Sequence, residues 1–97
     1  MERPDHRPSA DLLESTHLFP GVYTIKAIGL AEDDFEQRVV QAVSSHLAAP
    51  SDLEYSVRAT RGGRHVAVTL ELTVQNAEQV RSIYAEIQGV RALTLLL

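Results

Sequence analysis

Apolar and polar positions alternate along some stretches of this chain and recur every three to four residues along others. Between Val22 and Gly29 the run Val-Tyr-Thr-Ile-Lys-Ala-Ile-Gly is β-branched and aromatic, which predicts a strand punctuated by Gly29. Phe35, Val39, Ala42, Val43 and Leu47 then form one apolar helical stripe. Asp33 is expected to cap that helix with Glu36 reciprocating, an aspartate form of the capping box, and Ala48-Ala49-Pro50-Ser51 to stop it. A second strand is predicted over Leu53–Thr60, where Tyr55, Val57 and Ala59 alternate with Ser56, Arg58 and Thr60. A third has Val66, Val68, Leu70, Leu72 and Val74 on one face and Ala67, Thr69, Glu71 and Thr73 on the other. Gly62-Gly63 between them supplies the positive φ of a two-residue hairpin turn. Asn76 should cap a second helix with Gln79 as its partner, Ala77, Val80, Ile83, Tyr84 and Ile87 forming the stripe. Gly89 suits a left-handed helix end, and the apolar run from Val90 to Leu97 reads as a last strand.

The order β-α-β-β-α-β is the split βαβ arrangement, so the expected fold is α+β and ferredoxin-like. It is a two-layer sandwich with a four-stranded antiparallel sheet in the order 4-1-3-2 and two helices on one face. The helices should cover Tyr23, Ile25, Ala27, Tyr55, Val57, the even-numbered apolar residues of the third strand, Leu93, Leu95 and Leu97. The uncovered face should show Thr24, Lys26, Ser56, Arg58, Thr69, Glu71, Thr73 and Thr94, with Leu96 beside Ile28. Residues 1–17 differ in character: prolines, arginines, carboxylates and histidines surround one apolar pair, Leu12-Leu13. So little apolar surface does not offset ordering entropy, and the segment is expected to be a flexible tail before a domain over 18–97. A short helix through Ala10–Glu14 with Ser9 as cap would be marginal alone.

Composition narrows the function classes. With 97 residues the chain suits one domain, and 44% apolar and 23% charged residues are ordinary for a globular one. The absence of cysteine excludes disulfides, thiolate metal sites and cysteine nucleophiles. A net charge of −4 argues against bulk nucleic-acid affinity. No apolar run approaches the ~20 residues that span a bilayer, and the first residues carry no apolar stretch of a signal peptide, so a cytoplasmic setting is expected.

Candidate chemistry is sparse. His6, His17, His46 and His65 share no metal-ligand spacing, and no cofactor or metal is expected. His46 suits the last turns of the first helix, where a protonated ring complements the macrodipole. Glu32, Asp33, Asp34 and Glu36 form an acidic cluster, for which a helix N-terminus is reason enough. Ser44-Ser45-His46 are adjacent on a helix and diverge. Acylphosphatases share this size and element order, but they use an arginine in the loop after the first strand and an asparagine that orients water. Here that loop reads Gly29-Leu30-Ala31-Glu32-Asp33, and Asn76 is occupied as a cap. RNA-recognition motifs also share the order and stack bases on aromatic residues. Arg61-Gly62-Gly63-Arg64 has a similar basic-glycine start, but Gly63, His65 and Val68 stand at the aromatic positions.

Residues 18–97 resemble the YbeD-like family of small bacterial proteins. The resemblance lies in Phe19-Pro20, Lys26, Gly29, Phe35, Val39, Val43 and His46, then Gly62, Val68-Thr69, Gln79, Val80, Tyr84 and the terminal Val90 to Leu97. It implies a fold similar to ACT domains, modules that bind small metabolites and regulate enzymes, often near a glycine-bearing turn after the first strand. Gly29 matches that glycine, so it is the candidate ligand turn; with no catalytic domain in this chain, regulation would act in trans.

The expected function is therefore that of a non-enzymatic regulatory or protein-interaction module, sensing a small metabolite or modulating an enzyme. It would work through its open sheet face or a sheet edge, as a homodimer or with a protein partner and without a membrane. The candidate surface is Lys26, Arg58, Arg61, Arg64, Thr69, Glu71, Thr73 and Leu96. The alternative is weak RNA binding through the arginines of the hairpin.

Overall fold

A computed structural model describes residues 5–97. The elements are α1 (Ala10–Thr16), β1 (Gly21–Leu30), α2 (Phe35–Ser44), β2 (Leu53–Ala59), β3 (His65–Val74), α3 (Ala77–Gln88) and β4 (Leu93–Leu96), with a 3₁₀ turn at Pro50–Asp52 before β2. The strands form one antiparallel sheet in the order β2-β3-β1-β4. That is the expected 4-1-3-2 read from the other edge, and the architecture is α+β. Among the described residues no helix is long and apolar enough to cross a membrane.

The core lies between sheet and helices. Ile25, Ala27, Val68, Leu70, Leu72 and Val74 point into it from the central strands, and Phe35, Val39, Val43, Val80, Ile83 and Ile87 meet them from α2 and α3. The period-2 and period-3.6 stripes thus face one another, as amphipathic elements require in water. Tyr23 and Tyr84 enter this layer edge to face, and their hydroxyls share one hydrogen bond at 3.1 Å, one donating and the other accepting. Burial, reinforced by the hydrogen bond to Tyr23, pushes the Tyr84 hydroxyl to ionise well above the usual tyrosine range.

Several local expectations are corrected. Where a flexible tail was expected, Ala10–Thr16 form α1, while residues 1–4 of that segment lie outside the described residues. Ser9 Oγ accepts from the Leu12 N–H and starts α1, which lays Leu13 into the core at 1% exposure while Leu12 stays in solvent. The anchor comes from α3: Arg81 donates to the Pro8 carbonyl at 3.1 Å and pairs with Asp5 at 2.6 Å. Hydrogen bonds from Arg7, more than any other contact, hold the Asp5 carboxyl well below the usual range. A segment too apolar-poor to fold alone thus gains its order from a surface it does not encode.

At α2 the N-cap is Asp34 in a left-handed conformation without a side-chain cap, so the Asp33–Glu36 capping box does not form. Asp33 instead accepts from Arg38 through its carbonyl and lies 3.5 Å from Arg91. Asn76 does cap α3, accepting from Gln79 N–H at 2.8 Å, but the Gln79 side chain reaches back to the Gln75 N–H and across to the His46 carbonyl. Gly89 is right-handed (φ −86°), and the left-handed residue before β4 is Ala92. The hairpin is wider than a two-residue turn. Thr60 and His65 close it by mutual bonds, leaving Arg61–Arg64 outside, with Gly62 and Gly63 both at positive φ.

Candidate interaction surface

Strand register assembles the open face from residues scattered along the chain. Tyr23, Ile25 and Ala27 point to the helices, so Val22, Thr24, Lys26 and Ile28 point away. Antiparallel pairing then draws rows across the sheet. One runs Leu95–Ile28–Ala67–Arg58, the next has Lys26–Thr69–Ser56, the next Thr24–Glu71–Glu54, and the last joins Val22 to Thr73. Leu97 extends the second row, because its backbone exchanges hydrogen bonds with Lys26 at 2.8 and 3.1 Å. Lys26, Arg58, Thr69, Glu71 and Thr73 therefore share one face. Arg61 and Arg64 do not belong to these rows; they project from the hairpin tip in solvent.

Leu96 is a correction. It pairs with Ala27, packs against the core, and leaves the open face to Leu95 and Leu97, at 48% and 60% exposure. The cause is a β-bulge. Gly29 pairs with Leu93 while its neighbour Ile28 pairs with Leu95, so Thr94 has no partner and the parity of β4 inverts beyond it. Nothing in an unbroken apolar run marks where such a residue is inserted. The opposite edge departs as well. Tyr55 and Val57 face the helical side, opposite Leu70 and Val68, yet remain 47% and 40% exposed. The main contacts of α2 are with α3, β1 and β3, and those of α3 include β4, so β2 lies at the margin of the helical layer.

Electrostatics divide the open face into two ends. Lys26 and Arg58 lie toward the row of Ile28 and Leu95; Glu71 and Glu54 sit directly opposite each other across β3 and β2. Like charges placed so are destabilising. Among the described residues none of the four makes an ion pair. The acidic pair, with Ser56 and Thr69, lines a shallow dent of about 220 Å³. Glu54 was not apparent from the sequence as part of the surface; the strand alternation through Ser56 and Arg58 extended one step toward Leu53 would have found it.

The candidate ligand turn is already filled. Gly29 lies within β1, not in a turn, and the Phe35 ring occupies the space where a Cβ would sit, its ring carbons closer to that position than real Cβ contacts come. Glycine is required here so that α2 can dock its first buried residue. The charged groups bordering the groove between α2 and α3 have partners. Between α2 and α3 a groove of about 820 Å³ is bordered by Arg38, His46, Glu86 and Arg91. His46 lies 3.3 Å from Glu86, and Arg38 and Arg91 both contact Asp33. A smaller groove of about 360 Å³ carries Glu32, Asp33, Asp34 and Glu36. Among the described residues no group of three or more histidines and carboxylates is placed to hold a metal ion.

A family model described as "Protein of unknown function (DUF493)" matches residues 14–97. The chain is 36% identical over 76 residues to a UPF0250 protein of Shewanella piezotolerans, covering 75% of this chain and 84% of that protein. It is 34% identical, with the same coverage, to a UPF0250 protein of Shewanella oneidensis. To a UPF0250 protein of Serratia proteamaculans it is 29% identical over 79 residues, covering 81% of this chain and 88% of that protein.

Proposed function

The chain belongs to the DUF493 family of small bacterial proteins, the UPF0250 or YbeD-like proteins, and from that premise we propose that it is a non-catalytic interaction module that binds a protein through its open sheet face. In this reading the fold is ferredoxin-like and akin to ACT domains, the setting is the cytoplasm, and the bound protein is regulated in trans. The observation that carries the reading is the open face itself: four charges without ion-pair partners among the described residues, beside two exposed leucines of β4. Exposed apolar area rimmed by polar groups is the usual mark of a contact surface. Site-specific photo-crosslinking in the native cell tests it, with the crosslinker at Ser56 on the open face or at Gln37 on α2. A protein adduct formed from Ser56 and absent from Gln37 is expected. Equal patterns at the two positions would refute the reading, and an RNA adduct lost on Arg61→Ala and Arg64→Ala would replace it with RNA binding at the hairpin.

A further inference from the structure

We propose that the occupant of the open face is a second copy of this chain, docked face to face with its strands running against those of the first. This rests on the reading of the face as a protein-binding surface and names the partner. The argument begins with the Glu54–Glu71 pair. Two carboxylates held directly opposite on neighbouring strands repel, and neither has a cation within ion-pairing distance among the described residues. The same face carries two equally unpaired cations, Lys26 and Arg58, displaced along the strands toward its other end. The surface therefore holds both halves of a complementary set, and among the described residues they do not pair within one molecule.

Symmetry decides how they meet. A two-fold axis lying in the face and parallel to the strands would set the basic end of one copy over the basic end of the other. An axis crossing the strands reverses the ends, so that Arg58 and Lys26 of each copy approach the acidic pair of its partner, twice over. This is an isologous interface, in which one patch is its own complement. The apolar residues obey the same operation. Leu95 and Ile28 belong to the basic end, and Val22, 68% exposed, belongs to the acidic end of β1. Reversal carries the leucine end of one copy toward the valine end of the other, and exposed apolar area is covered by apolar area. The shallow dent between Glu54 and Glu71, floored by Ser56 and Thr69, is the receiving site for the partner's guanidinium.

The face is small. Four strands spaced by ~4.8 Å and about seven residues long give roughly 19 Å by 23 Å, well below the ~800 Å² per partner of a standard interface. The dimer is accordingly reversible, filling as concentration rises and weakening with salt, because its specific contacts are charged.

Sedimentation velocity of the full chain across a wide concentration range, at low and high salt, reads this directly. The wild-type protein is expected to shift toward dimer mass with concentration, and less so at high salt. Arg58→Glu should weaken the dimer at least tenfold, and adding Glu54→Arg to it, which exchanges the two charges within each copy, should recover most of the loss. All these side chains are exposed, and circular dichroism verifies that each variant is folded. A wild-type monomer at every concentration, a dimer indifferent to Arg58→Glu, or a double variant no better than the single one would each overturn the proposal. Should the protein stay monomeric while the Ser56 crosslinker captures a different protein, the second copy is the wrong occupant and the interaction reading stands. If it stays monomeric and Ser56 captures nothing, both fail.

Discussion

Leu70 and Thr69 are neighbours in β3, yet Leu70 has no solvent exposure and Thr69 looks onto a surface that no described element covers. The two faces of this sheet differ by a single step along the backbone and by the whole character of their environment. On one side dispersion and burial hold side chains at crystal-like density; on the other, charges stand without ion-pair partners among the described residues. The contrast teaches that alternation decides the direction of a side chain, while a second layer decides whether that direction means burial. Tyr55 shows the distinction, since it shares the side of Leu70 and remains about half exposed.

The contrast is broken most severely by emptying the covered side. Leu70→Ala should cost about 2–5 kcal/mol, from lost transfer energy and an unfilled cavity. Thr69→Ala, measured in urea at concentrations low enough to keep the protein monomeric, should stay within about 0.5 kcal/mol. Equal losses would mean that the open face is covered within the single chain.

A somewhat smaller effect sharpens the same comparison at α1, whose two leucines repeat it on a helix. Leu13 is buried and Leu12 exposed. Leu13→Ala should cost near the lower end of the ~2–5 kcal/mol range, because α1 can undock and limit the damage, whereas Leu12→Ala should be close to neutral. If urea midpoints did not separate the two variants, residues 10–16 would not be docked, and the tail expected from the sequence would be restored.

The smallest effect concerns the buried hydroxyl pair. Tyr84 ionises above its ordinary value of 10.0 when folded, chiefly through burial. A raised folded pKa means that the unfolded chain loses this proton first as pH rises. Its contribution is therefore complete below about pH 10 and declines as pH climbs above that value. Thermal melts between pH 8 and pH 11 should show stability falling at the alkaline end, with a shallower fall in Tyr84→Phe. An unchanged slope in that variant would place the alkaline loss elsewhere.

Much of this molecule was legible in its residues. Val66 to Val74 could only be a strand with one buried face, and the stripes of α2 and α3 named their buried sides, because periods of 2 and 3.6 are properties of the local backbone. Lys26, Arg58, Thr69, Glu71 and Thr73 fell on one face for the same reason. The residues missed have a common cause. Leu95 and Leu97 reached the open face through a bulge in β4, and Leu96 turned inward with it. Asp34 took the cap that Asp33 was expected to fill, and Phe35 took the space beside Gly29.

The sequence by itself determined which segments between Gly21 and Leu97 are helix or strand, and which side of each central strand is apolar, since these follow from side-chain spacing and backbone sterics. Tertiary structure alone decided the parity of β4, the exposure of β2 and the docking of α1. Each of these depends on what lies opposite: a strand whose register absorbs one extra residue, a helical layer whose main contacts fall short of β2, and an arginine on α3 that gathers Asp5 and Pro8. No periodicity along the chain records them, because they arise from contacts between segments distant in sequence.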